Sequence, residues 1–116
     1  MKKICFFSGD ITRSGGTERV STVIANQLVK NKKFNICFLS LWENNDKLFY
    51  TLNDKIKRYT LFEKVTSGKR ILTYVHRLRK FVKSNNIDVL MDIDGILDLY
   101  SIPALRGVKC KLISWE

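Results

Sequence analysis

Three short apolar runs, spaced by stretches of helical periodicity, constrain this chain more than any other feature. Ile4-Cys5-Phe6-Phe7 ends at Ser8-Gly9-Asp10, Asn35 to Leu41 ends at Trp42-Glu43, and Ile87 to Ile93 ends at Asp94-Gly95. Runs this short and this continuously apolar read as strands buried on both faces, the habit of a parallel sheet. Lys109 to Trp115 carries a last strand, and the alternating Ile56 to Leu61 reads as an edge strand with one wet face. Between them, Val20, Val23, Ile24, Leu28 and Val29 recur at helical spacing from Thr17 to Lys30. A second helix is predicted from Ser67 to about Asn85, with Ile71, Tyr74, Val75, Leu78, Phe81 and Val82 as its apolar stripe. A shorter helical pattern from Ile96 to Leu105 is interrupted at Pro103, and the polar stretch from Glu43 to Lys47 reads as a loop. Strands alternating with helices in the order βαβ-β-αβαβ imply a mostly parallel sheet with right-handed crossovers.

The expected architecture is therefore α/β, a Rossmann-like three-layer domain. With 116 residues there is room for one domain and little more. At 45% apolar the composition is globular, and no apolar run approaches the ~20 residues of a membrane span. The opening apolar run stops at Phe7, short of a secretory h-region, so no leader is expected. Cys5, Cys37 and Cys110 lie in apolar runs without CxxC spacing and read as small buried hydrophobes in a reducing cytosol. The chain stops on its last strand with no closing helix, which reads as a chain cut short.

In parallel α/β sheets, ligands bind beyond the carboxyl ends of the strands. The loop there that carries most information is Ser8 to Arg19, between the first strand and the first helix. Gly15 and Gly16 stand at the helix mouth, where a bare backbone admits close approach and free N–H groups and the helix dipole favour an anion. Arg13 adds a two-pronged cation for phosphate or carboxylate, and Thr17 is the candidate helix cap. There is no GxGxxG after the first strand and no GxxxxGK[ST], so neither an ordinary dinucleotide fingerprint nor a P-loop is expected. The hydroxyls of Ser8, Thr12 and Ser14 leave a flavodoxin-like FMN site as the rival reading.

The run Arg13-Ser-Gly-Gly-Thr-Glu-Arg19-Val, after the strand Lys-Ile-Cys-Phe-Phe and before an apolar helix, resembles the N-terminal domain of family 4 glycosyltransferases. The Ile87-Asp-Val strand and the late Lys-Leu-Ile-Ser-Trp-Glu strand extend the likeness over nearly the whole chain. The resemblance implies half of a GT-B fold and, for the full protein, retaining transfer of a sugar from a nucleotide-sugar donor. No metal or other cofactor is expected. It further implies that this domain holds the acceptor, and that Gly15, Gly16, Arg13 and Thr17 meet the donor's phosphate or sugar. A second, donor-binding domain with an E-x7-E type motif is missing from the sequence, and the 116 residues alone are expected to be inactive. Glu18 reads as a helix-start residue and His76, amid basic residues mid-helix, as a surface histidine.

Asp10, Asp94, Trp115 and Glu116, all at predicted strand ends, are the acceptor-side candidates. Asp94 is expected to make a turn and helix cap within the acidic group Asp92, Asp94 and Asp98. The aromatic Trp42 and the carboxylate of Glu43 share the same rim. With 21 Lys and Arg against 11 Asp and Glu, the net charge is +10. Lys69, Arg70, Arg77, Lys80 and Lys83 lie mostly opposite the apolar stripe of the second helix. Such a face suits the anionic inner surface of a plasma membrane. That would fit a lipid-linked glycan acceptor in bacterial polysaccharide assembly. Nucleic acid is disfavoured, because the aromatics fall on the apolar face and no recognition module is visible.

Overall fold

The computed structural model describes residues 2–12, 15–43, 48, 50–62 and 71–114. Within these, five strands form one all-parallel sheet: β1 Lys2–Ser8, β2 Phe34–Ser40, β3 Lys57–Thr60, β4 Val89–Asp92 and β5 Lys111–Ser114. Their spatial order is β3-β2-β1-β4-β5. Three α-helices connect them: α1 Gly16–Leu28, α2 Ile71–Ser84 and α3 Asp98–Ala104, the last preceded by a 3-10 turn at Gly95–Leu97. The first three strands step outward one way and β4 and β5 step out the other, so the connections diverge between β1 and β4. That order is the doubly wound mononucleotide-binding one, whereas the flavodoxin order places a single strand outside β1. The sheet therefore argues against the FMN alternative.

Both faces of the sheet are buried, which is why the strand runs lack polar alternation. Ile4 and Phe6 of β1 join Ile36 and Phe38 of β2 beneath Ala25 and Val29 at α1. Cys5 and Phe7 join Cys37, Leu39 and Leu90 beneath Tyr74, Leu78 and Val82 of α2 and Ala104 of α3. Phe6 and Phe38 stack across the central strand pair with centroids 5.1 Å apart. The three-layer expectation holds, and β3 lies at an edge with most of its side chains in water.

The helix faces depart from periodicity in one important place. In α1, Val20 and Val23 are 47% and 54% exposed, while Glu18, Ser21, Thr22 and Ala25 face inward. The reason is local hydrogen bonding. Ser21 Oγ and Thr22 Oγ1 donate to the Glu18 carbonyl at 3.0 and 2.7 Å, so their hydroxyls enter the interior satisfied. Short side chains on that face also let α1 sit close to β1 and β2. In α2 the stripe holds through Tyr74, Leu78 and Val82, but Ile71 at its start is half exposed. The predicted start of α2 at Ser67 lies outside the described residues. Pro103 does not interrupt α3, which ends one residue beyond it at Ala104. Cys5 and Cys37 are buried as expected, and burial pushes the Cys5 thiol up; Cys110 is only half-buried.

Candidate functional site

The carboxyl ends of β1, β2 and β4 gather one polar rim. Ser8 and Ser40 end their strands in register, and their hydroxyls lie 3.3 Å apart. Ser40 Oγ also accepts from the Ile11 amide at 3.1 Å, and the Leu41 amide donates to the Gly9 carbonyl at 3.1 Å. The loop after β1 is thus tied to the end of β2. Its turn closes on Asp10, whose Oδ1 accepts from the Thr12 amide at 2.9 Å and from the Thr12 hydroxyl. Asp10 is 2% exposed. It serves as the brace of an Asx-type turn, a structural duty the sequence did not distinguish from acceptor binding.

At the mouth of α1, Gly15 occupies the N-cap position with extended backbone (φ −71°, ψ 164°) and accepts the Arg19 amide at 3.1 Å. Its two glycines are not equivalent. A Cβ on Gly15 would stand 3.1 Å from Glu18 Oε1 and 3.2 Å from Oε2, whereas among the described residues nothing lies within 4 Å of one on Gly16. Glu18, in the first turn and buried, folds its carboxylate back over Gly15 and accepts from the Thr17 hydroxyl. This is the position from which a glutamate commonly reaches back across a helix start. The Gly15 side of the corner therefore holds a carboxylate, and the Gly16 side is open among the described residues. Thr17 offers no side-chain cap; its hydroxyl instead lies between Glu18 and Asp94, with Asp94 Oδ1 3.4 Å away. Arg13 and Ser14 lie outside the described residues.

Asp94 follows β4, directly across the point where the sheet's connections diverge. It stands at the N-cap of the 3-10 turn, accepting the Leu97 amide on its carbonyl at 3.0 Å, without the side-chain cap expected of it. A donor-side candidate, Thr17, and an acceptor-side candidate, Asp94, predicted from separate arguments, are thereby neighbours. Trp42 packs half-buried against the α2 face of the core. Glu43 is held above the usual carboxylate range, first by burial and also by the nearby Asp10, against the pull of Arg58 at 3.7 Å. Trp115 and Glu116 lie outside the described residues.

Below the rim, Asp92 at the end of β4 is fully buried, and Ser101 Oγ of α3 donates to its Oδ1 at 2.9 Å. Asp98 at the start of α3 accepts from Ser114 Oγ of β5 at 2.6 Å. Burial and the adjacent Asp98 raise the Asp92 carboxyl to about 8, and the bond from Asp92 lowers Asp98. Sequence reading grouped these acids by proximity but did not see their pairing. Their spacing of six residues across a turn becomes a contact only once α3 folds back on β4.

The basic face of α2 is partly committed. Arg77 donates from Nη1 to the Leu61 carbonyl at 2.8 Å and lies over the Phe62 ring, 4.7 Å from its centroid. Arg79 Nη1 donates to the Arg106 carbonyl at 2.6 Å, fastening the end of α3. Lys80 and Lys83 remain exposed and, with His76, Arg79 and Ser84, line a shallow groove of about 300 Å³. His76 is at the surface as expected. Lys69 and Arg70 lie outside the described residues. Among the described residues no helix is long and apolar enough to cross a membrane, and no three His, Cys, Asp or Glu side chains gather as a metal site.

No family model matches the chain. An uncharacterized glycosyltransferase of Haemophilus influenzae is 38% identical over all of it, and the chain spans 32% of that protein's length. The lipopolysaccharide outer core galactosyltransferase WaaB, solved in its apo form, superposes on 97% of the chain with a TM-score of 0.72 at 24% identity. A glycosyltransferase from Rickettsia africae superposes over 97% with a TM-score of 0.67 at 15% identity. The chain covers 32% and 29% of these two structures, so in each it accounts for about a third. The likeness read from the Arg13 to Val20 run and its flanking strands is thus borne out along the chain: in sequence and in fold it resembles one α/β domain of the GT-B glycosyltransferases.

Proposed function

We propose that this domain is the acceptor-side part of a retaining glycosyltransferase that moves a sugar from a nucleotide-sugar donor to a glycan or lipid-linked acceptor. The observation that carries the reading is the meeting of Thr17 and Asp94 at the divergence point of the sheet, beside the open flank of Gly16. An N-terminal helix turn offers N–H donors to a diphosphate, and an aspartate offers oxygens to sugar hydroxyls. Fixed donors at a leaving diphosphate lower the barrier to transfer, because negative charge accumulates there as the glycosidic bond breaks. Gly16 and Thr17 are the donor-side residues with room around them. A phosphate near Gly15 would meet the Glu18 carboxylate and has to displace or neutralise it.

The remainder of the activity, including most donor contacts, belongs on this reading to a second domain, and no metal is required. The chain alone is inactive as a transferase. The setting is cytoplasmic, with the exposed lysines of α2 at the inner face of the plasma membrane. The supporting relatives are a glycosyltransferase and two glycosyltransferase folds.

The test is an amide chemical-shift titration of the chain with nucleoside diphosphates and their sugar conjugates. Shifts confined to Gly16, Thr17 and the Asp94 turn are expected. Shifts elsewhere with this corner silent, or a tight yellow complex with FMN, would sink the reading.

A further inference from the structure

The most unusual polar contact in the fold lies away from the proposed donor corner. Asp92 and Asp98 both place carboxylate oxygens inside the structure. Asp92 Oδ1 takes the Ser101 hydroxyl and one Asp98 oxygen takes the Ser114 hydroxyl. That leaves Asp92 Oδ2 and Asp98 Oδ1, both buried and both without a donor among the described residues. Buried polar atoms are almost always satisfied, and two ionised carboxylates side by side would repel. A single proton between these two oxygens removes both difficulties at once.

We infer that Asp92 and Asp98 share one proton, and that this proton latches the Asp94 turn and the start of α3 onto the end of β4. The latch spans three elements. Asp92 ends β4, Asp98 and Ser101 belong to α3, and Ser114 ends β5 beside Asp92 in register. Segment 93–97, which carries Asp94 to Thr17, runs between the two latched residues. Losing the proton leaves the fully buried Asp92 charge facing the partly exposed charge of Asp98 and pushes α3 off the sheet rim.

The surroundings keep the proton in place. From β1, Phe7 lies in register with Asp92, and the buried Cys5, within electrostatic reach of it, keeps a neutral thiol because burial disfavours the thiolate. From α3 come only Asp98 and the Ser101 hydroxyl, and from β5 the Ser114 hydroxyl. Among the described residues no Lys, Arg or His pairs with either acid. The Asp92 carboxyl accordingly titrates near 8, with burial the largest cause and Asp98 the next.

The sign follows from linkage. In the unfolded chain Asp92 ionises at an ordinary carboxylate pKa of about 4, while in the fold it keeps its proton up to about 8. Stability from this group is complete below about pH 4 and is lost as pH rises through about 8. The depressed Asp98 acts oppositely, but only as pH falls through the acid range. Between them, one proton is bound by the folded chain and not by the unfolded one. The unfolding constant therefore climbs by up to about tenfold per pH unit from pH 5 to 8 and then levels.

The experiment follows Asp side-chain carbonyl carbons by NMR across pH 3–9 in the wild-type chain, with denaturant unfolding at the same pH values. Asp92 is expected to titrate near 8 with Asp98 reporting the same transition. The Asp92→Asn variant, which keeps a donor for Asp98, is expected to lose the pH dependence between 5 and 8. Protection of the 93–98 amides, taken relative to the intrinsic base-catalysed rate, is expected to fall above pH 8 in the wild type alone. An Asp92 carbon titrating below pH 5, or an Asp92→Asn chain with the wild-type pH slope, would overturn the inference. If that variant does not fold, the wild-type carbon titration decides by itself. None of these readouts depends on a sugar nucleotide, so the latch and the proposed function stand or fall separately.

Discussion

Gly15 and Gly16 are adjacent and chemically identical, yet the fold asks different things of them. A Cβ on Gly15 would press on the Glu18 carboxylate 3.1 Å away, whereas one on Gly16 meets nothing among the described residues. Gly15→Ala is expected to lower stability by about 1 kcal/mol or to expel Glu18. In a thermal melt, Glu18→Ala should return part of that loss when added to Gly15→Ala, because the clash leaves with the carboxylate. Gly16→Ala should be neutral or slightly stabilising, through the lower entropy of the unfolded chain. Residue identity told less than residue neighbourhood here. The glycine pair and the acid after it were visible in the sequence. That the acid folds back onto the first glycine, and that Asp10 is spent on Thr12, depend on side-chain directions no linear spacing encodes.

At the scale of elements, strands were far more legible than helix faces. An apolar run between turn residues admits few other readings when both faces of the sheet are covered: β4 falls inside its run, β2 is offset from its run by one residue, and β1 extends beyond its run at both ends. Helix α1 buries a different face from the one its apolar spacing marks. Counting apolar residues at helical spacing pointed Val20 and Val23 inward, but Ser21 and Thr22 carry hydroxyls that bond within their own helix and so are admitted to the interior. Val20→Lys and Val23→Lys are therefore expected to shift stability by no more than about 0.5 kcal/mol. Ala25→Leu, at a fully buried position over the sheet, should cost about 1–3 kcal/mol by overpacking. Chemical denaturation of the three variants distinguishes this face from the one periodicity suggested. Leu78→Ala, in the other layer, should cost about 2–5 kcal/mol.

Across the whole molecule, charge was legible as a sum and not as a distribution. The net +10 says only that the surface is basic; of the cations on α2, Arg77, a candidate for the membrane face, and Arg79 spend their guanidinium groups on backbone carbonyls of neighbouring segments. Lys80 and Lys83 are the described cations of that face left to solvent. Sedimentation with vesicles rich in anionic lipid is expected to retain the chain at low salt and release it near 0.5 M, as screening shortens electrostatic reach to a few ångströms. Lys80→Glu with Lys83→Glu should abolish retention without altering the melting temperature by more than a few degrees. Retention indifferent to salt and to lipid charge would end the membrane reading.

The outer flank of β5 is bare among the described residues, with Lys111, Ile113 and Ser114 exposed and β4 its partner on the inner side alone. An open strand margin is a template onto which any extended peptide can be zipped through main-chain bonds. Dynamic light scattering should show particle size growing with protein concentration, and Ile113→Lys should suppress that growth, since a charge on the margin deters strand-by-strand accretion.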